Sequence, residues 1–301
     1  MAKAQHRTDL AVEAHQLWKE GAGETTKLSG VRAEDGEREG YETTVVTVLD
    51  QEGAAALGKP VGRYVTLELD GLLRREEDAF RRAVRAVAAE VEAMVPREGT
   101  ALVIGLGNRA VTPDLVGPLA AEHVLVTRHL VEHLAEHFGH LRAVAAVSPG
   151  VLASTGIESS AVAAALVERL EPACVVAVDA LASRSIDRLC RTVQLTDTGI
   201  SPGSGVGNHR APLDQSSLGV PVIAVGVPTV VDGATLALDL LAQAGQEELG
   251  HQVLGGRGAD FFVTPREVDS RVADLAKVIG YGISLGLEPS LTVDDLVMLL
   301  E

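Results

Sequence analysis

The feature that most constrains what this chain can fold into is a recurrence. Short, nearly continuous runs of β-branched and aliphatic residues return at 43–49, 64–69, 101–104, 124–127, 143–147, 174–178, 192–195 and 222–227. Between many of them lie patterns of helical period, at 74–94, 129–138, 159–170 and 234–244, followed by 265–285 and 293–300. A strand that is apolar on both faces needs cover on both faces, and intervening helices supply it. The alternation therefore predicts an α/β fold, a mostly parallel central sheet with helices on both faces. The first two strands are expected to pair as a hairpin or to add at an edge. Residues 20–40 carry glycines and mixed charges without apolar period and read as loop. No internal repeat or low-complexity linker interrupts the rest.

Charge and composition narrow the function. The 301 residues carry a net charge of -16, which repels phosphate backbones and anionic membranes. Aromatic residues make up 3% of the chain, too few for a base-stacking surface. No direct nucleic-acid partner is expected. No charged N-terminal region is followed by an apolar run, and no apolar stretch reaches about 18 residues, so no membrane span is expected and a cytoplasmic setting is. Cys174 and Cys190 form no C-x-x-C pattern, and Cys174, which opens a valine-rich run, reads as a small buried hydrophobe.

In open α/β sheets, ligands and catalytic groups gather beyond the carboxyl ends of strands. Four acids fall there: Asp114, Asp179, Asp197 and Asp232. Each has an ordinary reading as a helix cap or turn residue. Asp179 is the sharpest, because it ends an otherwise apolar strand where an unpaired carboxylate is costly. Asp114 follows Pro113, which is expected to hold Thr112 extended and present the carboxylate on a stiff corner. Two such acids brought together could share one proton, one acting as base toward water and the other as acid toward an amide. Gly105, Gly107 and Asn108 lie just before this corner, but the stretch lacks the third glycine of a dinucleotide fingerprint, and no cofactor is expected. The glycine-rich run 201–208 reads as a loop that lets backbone approach the site. Arg128, Arg184 and Arg210 could pair with the acids or lie on the surface. A competing metal reading rests on His129, Glu132 and His133, repeated at His133, Glu136 and His137, where paired histidines at helical spacing could bind zinc. The alternative there is a polar helix face. The aspartates could also be metal ligands.

Several longer stretches carry a resemblance. They are RTDLAVEA (7–14), GLGN (105–108), VTPDLVGP (111–118), VTRHL (126–130), VSPGVLASTGIES (147–159), VDALASRSIDR (178–188), DTGISPGSGVGN (197–208), LGVPVIAVGVPTVVD (218–232) and FFVTPREVD (261–269). Together they resemble the germination protease family of spore-forming bacteria, endopeptidases that degrade small acid-soluble spore proteins. The resemblance implies a fold similar to hydrogenase-maturation proteases and an atypical aspartic-type mechanism on Asp114 and Asp179. Gly105, Gly107, Asn108, Thr112, Arg184, Asp197 and Asp232 would then frame the site. It further implies an oligomeric zymogen, a tetramer, acting in the spore core. Thr8-Asp9-Leu10-Ala11-Val12-Glu13 looks like the sequence the family cuts, so autocleavage between Asp9 and Leu10 is expected, with residues 1–9 as pro-segment and 10–301 as one peptidase domain. His133, His137 and His140 fall outside the matching stretches. A non-catalytic peptide-binding or assembly protein on the same fold is the alternative of another class.

Overall fold

The structure, a computed structural model, describes residues 7–22, 28–203, 210–246 and 261–301. Among them, nine strands form one sheet: β1 (Val31–Arg38), β2 (Tyr41–Val48), β3 (Gly62–Glu68), β4 (Ala101–Gly105), β5 (Val144–Val147), β6 (Cys174–Ser183), β7 (Thr192–Thr196), β8 (Val222–Asp232) and β9 (Phe262–Val263). The helices are α1 (Ala11–Ala22), α2 (Gln51–Leu57), α3 (Asp70–Leu73), α4 (Ala79–Met94), α5 (Val116–Glu122), α6 (Arg128–His133), α7 (Ala135–Phe138), α8 (Leu152–Thr155), α9 (Ser159–Leu170), α10 (Gln215–Leu218), α11 (Gly233–Gln243), α12 (Val268–Leu287) and α13 (Val293–Leu300).

The fold is α/β, but its sheet is mixed rather than mostly parallel. In the order β1-β2-β3-β7-β8-β6-β4-β5, the strands from β8 to β5 pair in parallel, whereas those from β1 through β7 to β8 pair antiparallel, and β9 adds antiparallel to β8. The expected pairing of the first two apolar runs is present as β2 on β3. Residues 31–38 are a strand, not a loop. Seven of the eight are exposed, so β1 shows no apolar period, and its charges suit an outer edge that must not recruit another chain. Glu39 and Gly40, both at positive φ, close the β1–β2 hairpin. Residues 124–127 form no strand. Val124 is apolar because it packs in the core, and Thr127 exchanges hydrogen bonds with Val144 without extending a ladder.

Two predicted helices are each broken. The pattern at 74–94 divides because Arg75 and Asp78 adopt left-handed backbone, so α4 begins only at Ala79. The pattern at 129–138 divides at Leu134, with φ -132° and ψ 43°. The last two helices lie close to where the periodicity puts them.

The sheet is covered on both faces. On one, α4, α5 and α12 bury Val84, Val87, Val116, Val272, Ile279 and Ile283 against Val103, Val176 and Val225. Gly282 and Gly286, one turn apart in α12, let it approach α4, since a Cβ there would lie 2.6 Å from Val87 or 2.7 Å from the Ala88 carbonyl. On the other face Ala163 of α9 packs among Leu102, Ile104, Val175 and Ala177. The first residue of α1, Ala11, joins Val46, Val48, Leu57 and Tyr64 over the antiparallel half. Both cysteines are buried. No helix among the described residues is long and apolar enough to cross a membrane.

Candidate active site

The cleft is built where β4 gives way to α5. Leu106 donates its N–H to the Val178 carbonyl at 2.8 Å, so contact between β4 and β6 continues past the strand end. Gly117 brings the start of α5 down onto this edge, where any Cβ would meet the carbonyls of Leu106 and Val178 at 2.1 and 2.4 Å. Gly107, at φ 130°, has the carbonyl oxygen of Asp114 where a Cβ would stand, 2.0 Å away. The chain from 105 to 114 thus folds back on itself, and Asn108 N–H donates to Asp114 Oδ2 at 2.6 Å. Thr112 is not extended as the proline suggested. It opens a single 3₁₀ turn, Thr112–Asp114, and the extended residue is Val111. The turn's own hydrogen bonds, including Asp114 N–H to the Val111 carbonyl at 2.8 Å, outweigh the local preference.

Asp179 does not end its strand as the apolar run suggested, because pairing with β8 carries β6 on to Ser183; it projects from the strand's middle, is 5% exposed, and accepts the Ala180 N–H at 2.9 Å. Asp114 and Asp179 line one cleft of about 260 Å³, whose wall also includes Asp9, Pro113, Thr229 and Phe262. Burial raises the pKa of both acids. Asp114 is drawn back toward ionisation by the Asn108 N–H and by Arg210. Asp179 is pushed well above the carboxylate range, first by burial and then by the neighbouring charge of Asp114. Both acids hold a proton more tightly than a free carboxylate, Asp179 more so than Asp114.

The N-terminal segment runs into this cleft. Asp9 pairs with Ala182 twice, its N–H donating to the carbonyl at 2.9 Å and its Oδ2 accepting the N–H at 2.8 Å. Leu10 is fully buried beside Leu181. The carbonyl of Asp9 accepts from Lys59 Nζ at 2.8 Å and from Gln194 Nε2 at 3.3 Å, while Gln194 Oε1 accepts the Ala11 N–H at 2.7 Å. Glu13, 1% exposed, accepts the N–H groups of Arg184 and Ser185 at 2.6 and 3.1 Å and pairs with Arg188.

The other expected residues lie elsewhere. Asp197 is exposed and caps the Arg63 N–H at 2.8 Å. It follows β7, which runs antiparallel to β8, so its strand end points away from the acids. Asp232 is a buried cap of α11 that accepts from Thr235 and faces Arg7 at 3.8 Å. Arg184 binds Glu20 and Asp239, tying α1 to α11 rather than neutralising the cleft. Arg128 pairs with Glu132, and His129 and His133 are exposed on the short α6. Their intended repeat at His137 lies beyond the break at Leu134. Among the described residues no group of three or more His, Cys, Asp or Glu side chains could hold a metal ion. Most of the 201–208 loop lies outside the described residues.

Lys59 and Gln194 are not legible as site residues from their surroundings in sequence, though each left a trace. Gln194 is the one long polar side chain in the buried strand TVQLT. Lys59 stands between Gly58, the left-handed cap of α2, and Pro60, which together turn the chain sharply.

Fold and cleft define an α/β protein carrying, at the edge of parallel strands, a buried and a half-buried acid of unequal proton affinity in one cleft. Comparison with known proteins identifies the lineage. The family model described as germination protease matches residues 11–244. The germination protease of Caldanaerobacter subterraneus subsp. tengcongensis is 42% identical, covering 98% of each chain. That of Clostridium perfringens is 41% identical over 96% of this chain and 97% of its own, and that of Bacillus cytotoxicus 37% over 98% and 97%. The chain belongs to the germination protease family and is a peptidase. A solved NiFe hydrogenase maturation protease, HycI from Thermococcus kodakarensis, is similar over 64% of this chain and 98% of that one, at 17% identity and a TM-score of 0.33, a likeness too slight to bear on chemistry.

Proposed function

We propose that the chain is an endopeptidase made as a precursor, that Asp114 and Asp179 hydrolyse the amide, and that its substrates are small acid-soluble spore proteins. The observation that carries this reading is the meeting of both acids in one cleft whose wall includes Asp9. Ionised Asp114 takes a proton from water as the water oxygen attacks the carbonyl carbon. Protonated Asp179 then gives its proton to the leaving nitrogen as the C–N bond breaks. The proton ends on Asp114 and the charge on Asp179, and exchange through solvent restores the pair.

The same reading makes Asp9–Leu10 the bond cut in maturation, releasing residues 1–9 from the peptidase domain. Its support is the course of residues 7–11 along the cleft edge, paired to Ala182 and Gln194. The family resemblance adds the substrate class, action in the spore core and a homotetramer, the last open to sedimentation measurement.

Asp114→Asn and Asp179→Asn should each lower turnover of a small spore protein by about 10²–10⁴-fold while the fold is retained. Near-normal turnover by Asp179→Asn would sink the assignment. Mass spectrometry of precursor held at mildly acid pH should find a new N-terminus at Leu10; activity appearing in an intact chain would exclude that maturation step.

A further inference from the structure

Lys59 and Gln194 grip one stretch of backbone from the side opposite the acids. The amide of Gln194 donates to the Asp9 carbonyl and accepts from the Ala11 N–H, taking both hydrogen-bonding groups that flank Leu10 as a neighbouring strand would. Lys59 Nζ donates to the carbonyls of Asp9 and Thr8 at 2.8 and 3.3 Å. The sheet places this grip relative to the catalytic pair. Asp179 on β6 is in register with Gly226 on β8, and Gly226 with Gln194 on β7, so acid and amide stand two strand spacings apart, about 10 Å. Between them Gly226 has no side chain, and the Leu181 side chain, which packs against Leu10, fills the space a Cβ there would need, at 2.4 Å. The floor between the acid and the amide is therefore apolar.

A cation removed from water needs acceptors. Among the described residues, the hydrogen-bond acceptors of Lys59 are carbonyls of Thr8 and Asp9, on the segment that maturation would discard. Once they leave, Lys59 is left to take the carbonyl of another chain. We infer that Lys59 and Gln194 form the backbone clamp of this peptidase, holding the carbonyl on the acyl side of the cut and neutralising the charge that develops on its oxygen. This rests on the proposed reading of Asp9–Leu10 as a bond seated for cleavage. When water adds to the carbonyl carbon, its oxygen becomes an alkoxide facing the Lys59 ammonium and the Gln194 N–H. It returns to a carbonyl when the C–N bond breaks. Lys59 is then a catalytic residue and Gln194 a reader of extended backbone that requires an N–H two residues past the acyl-side position.

The test follows self-processing of the full-length precursor by mass spectrometry, with thermal melting as control. Lys59→Met should slow the first-order cut at Asp9–Leu10 by about 10²–10³-fold, the usual loss for one oxyanion donor. Lys59→Arg should recover part of it. In a second arm, matured wild-type enzyme is given the peptide RTDLAVEA and the same peptide N-methylated at the alanine after leucine. The methylated peptide should show a KM raised about 10-fold or more, one lost backbone contact. Lys59→Met processing at the wild-type rate, or equal use of the two peptides, overturns the clamp. Asp179→Asn in the same assay separates the readings: if it is inactive while Lys59→Met cuts Asp9–Leu10 normally, the clamp alone fails. If Asp179→Asn also processes normally, or the cut falls at another bond, the underlying reading fails instead.

Discussion

At the scale of single residues, the proposed division of labour between the two acids rests on their surroundings. Asp114 sits on a turn whose Asn108 N–H stabilises its charged form. Asp179 sits in a strand interior, where water cannot solvate a charge and the nearest acid repels a second one. That cost has a consequence for stability. Because the folded-state pKa of Asp179 is raised, its contribution is fully present below the unfolded-state value of about 3.9 and is lost as pH rises through the folded value. Asp179→Asn carries no such loss. Calorimetry should find the variant melting above wild type near neutral pH, with the gap closing as pH falls toward about 4. A lower melting temperature at neutral pH would mean that the carboxylate is held by contacts stronger than its burial.

Among the elements, two short devices decide whether the cleft exists. The turn from Gly105 to Asp114 closes only because residue 107 has no Cβ and tolerates positive φ. Gly107→Ala should destabilise the fold by about 1–3 kcal/mol and depress activity further, read by denaturant melts beside turnover. The second device is the seat of α1. Buried Glu13 satisfies two backbone N–H groups and Arg188 together. Glu13→Ala strands them, and should cost about 3 kcal/mol and raise hydrogen exchange across 11–20 while leaving α12 protected. Unchanged exchange in α1 would show the helix to be held by its apolar face alone.

For the molecule as a whole, the N-terminal segment and the cleft it enters belong to one chain, so the proposed maturation would be an intramolecular event. Its rate should be first order and independent of protein concentration over at least about a tenfold range, as effective local concentration dictates. A rate rising with concentration would assign the cut to a neighbouring molecule. The pH profile should be a bell. Activity falls on the acid side as Asp114 loses its charge, and on the alkaline side as Asp179, whose pKa is raised, loses the proton the leaving amine needs.

Local chemistry made much of this legible in sequence. The runs at 101–104, 174–178 and 222–227 announce strands buried on both faces because nothing polar interrupts them, and they are the strands of the parallel core. Asp179 stood out against such a run, and the Gly107-to-Asp114 stretch could be read as a constrained turn. β1 escaped notice because an exposed edge buries neither face and leaves no apolar period. The direction of β7 escaped because five buried residues look the same in either sense, and with it went the true position of Asp197. Sequence by itself determined which groups could carry a buried charge and where the backbone could turn. Only the tertiary structure decided which of them meet: pairing of β4 with β6 brings Asp114 to Asp179, and antiparallel β7 brings Gln194 to the N-terminal segment. Strand order is set by burial summed over the whole sheet, a quantity no local stretch contains.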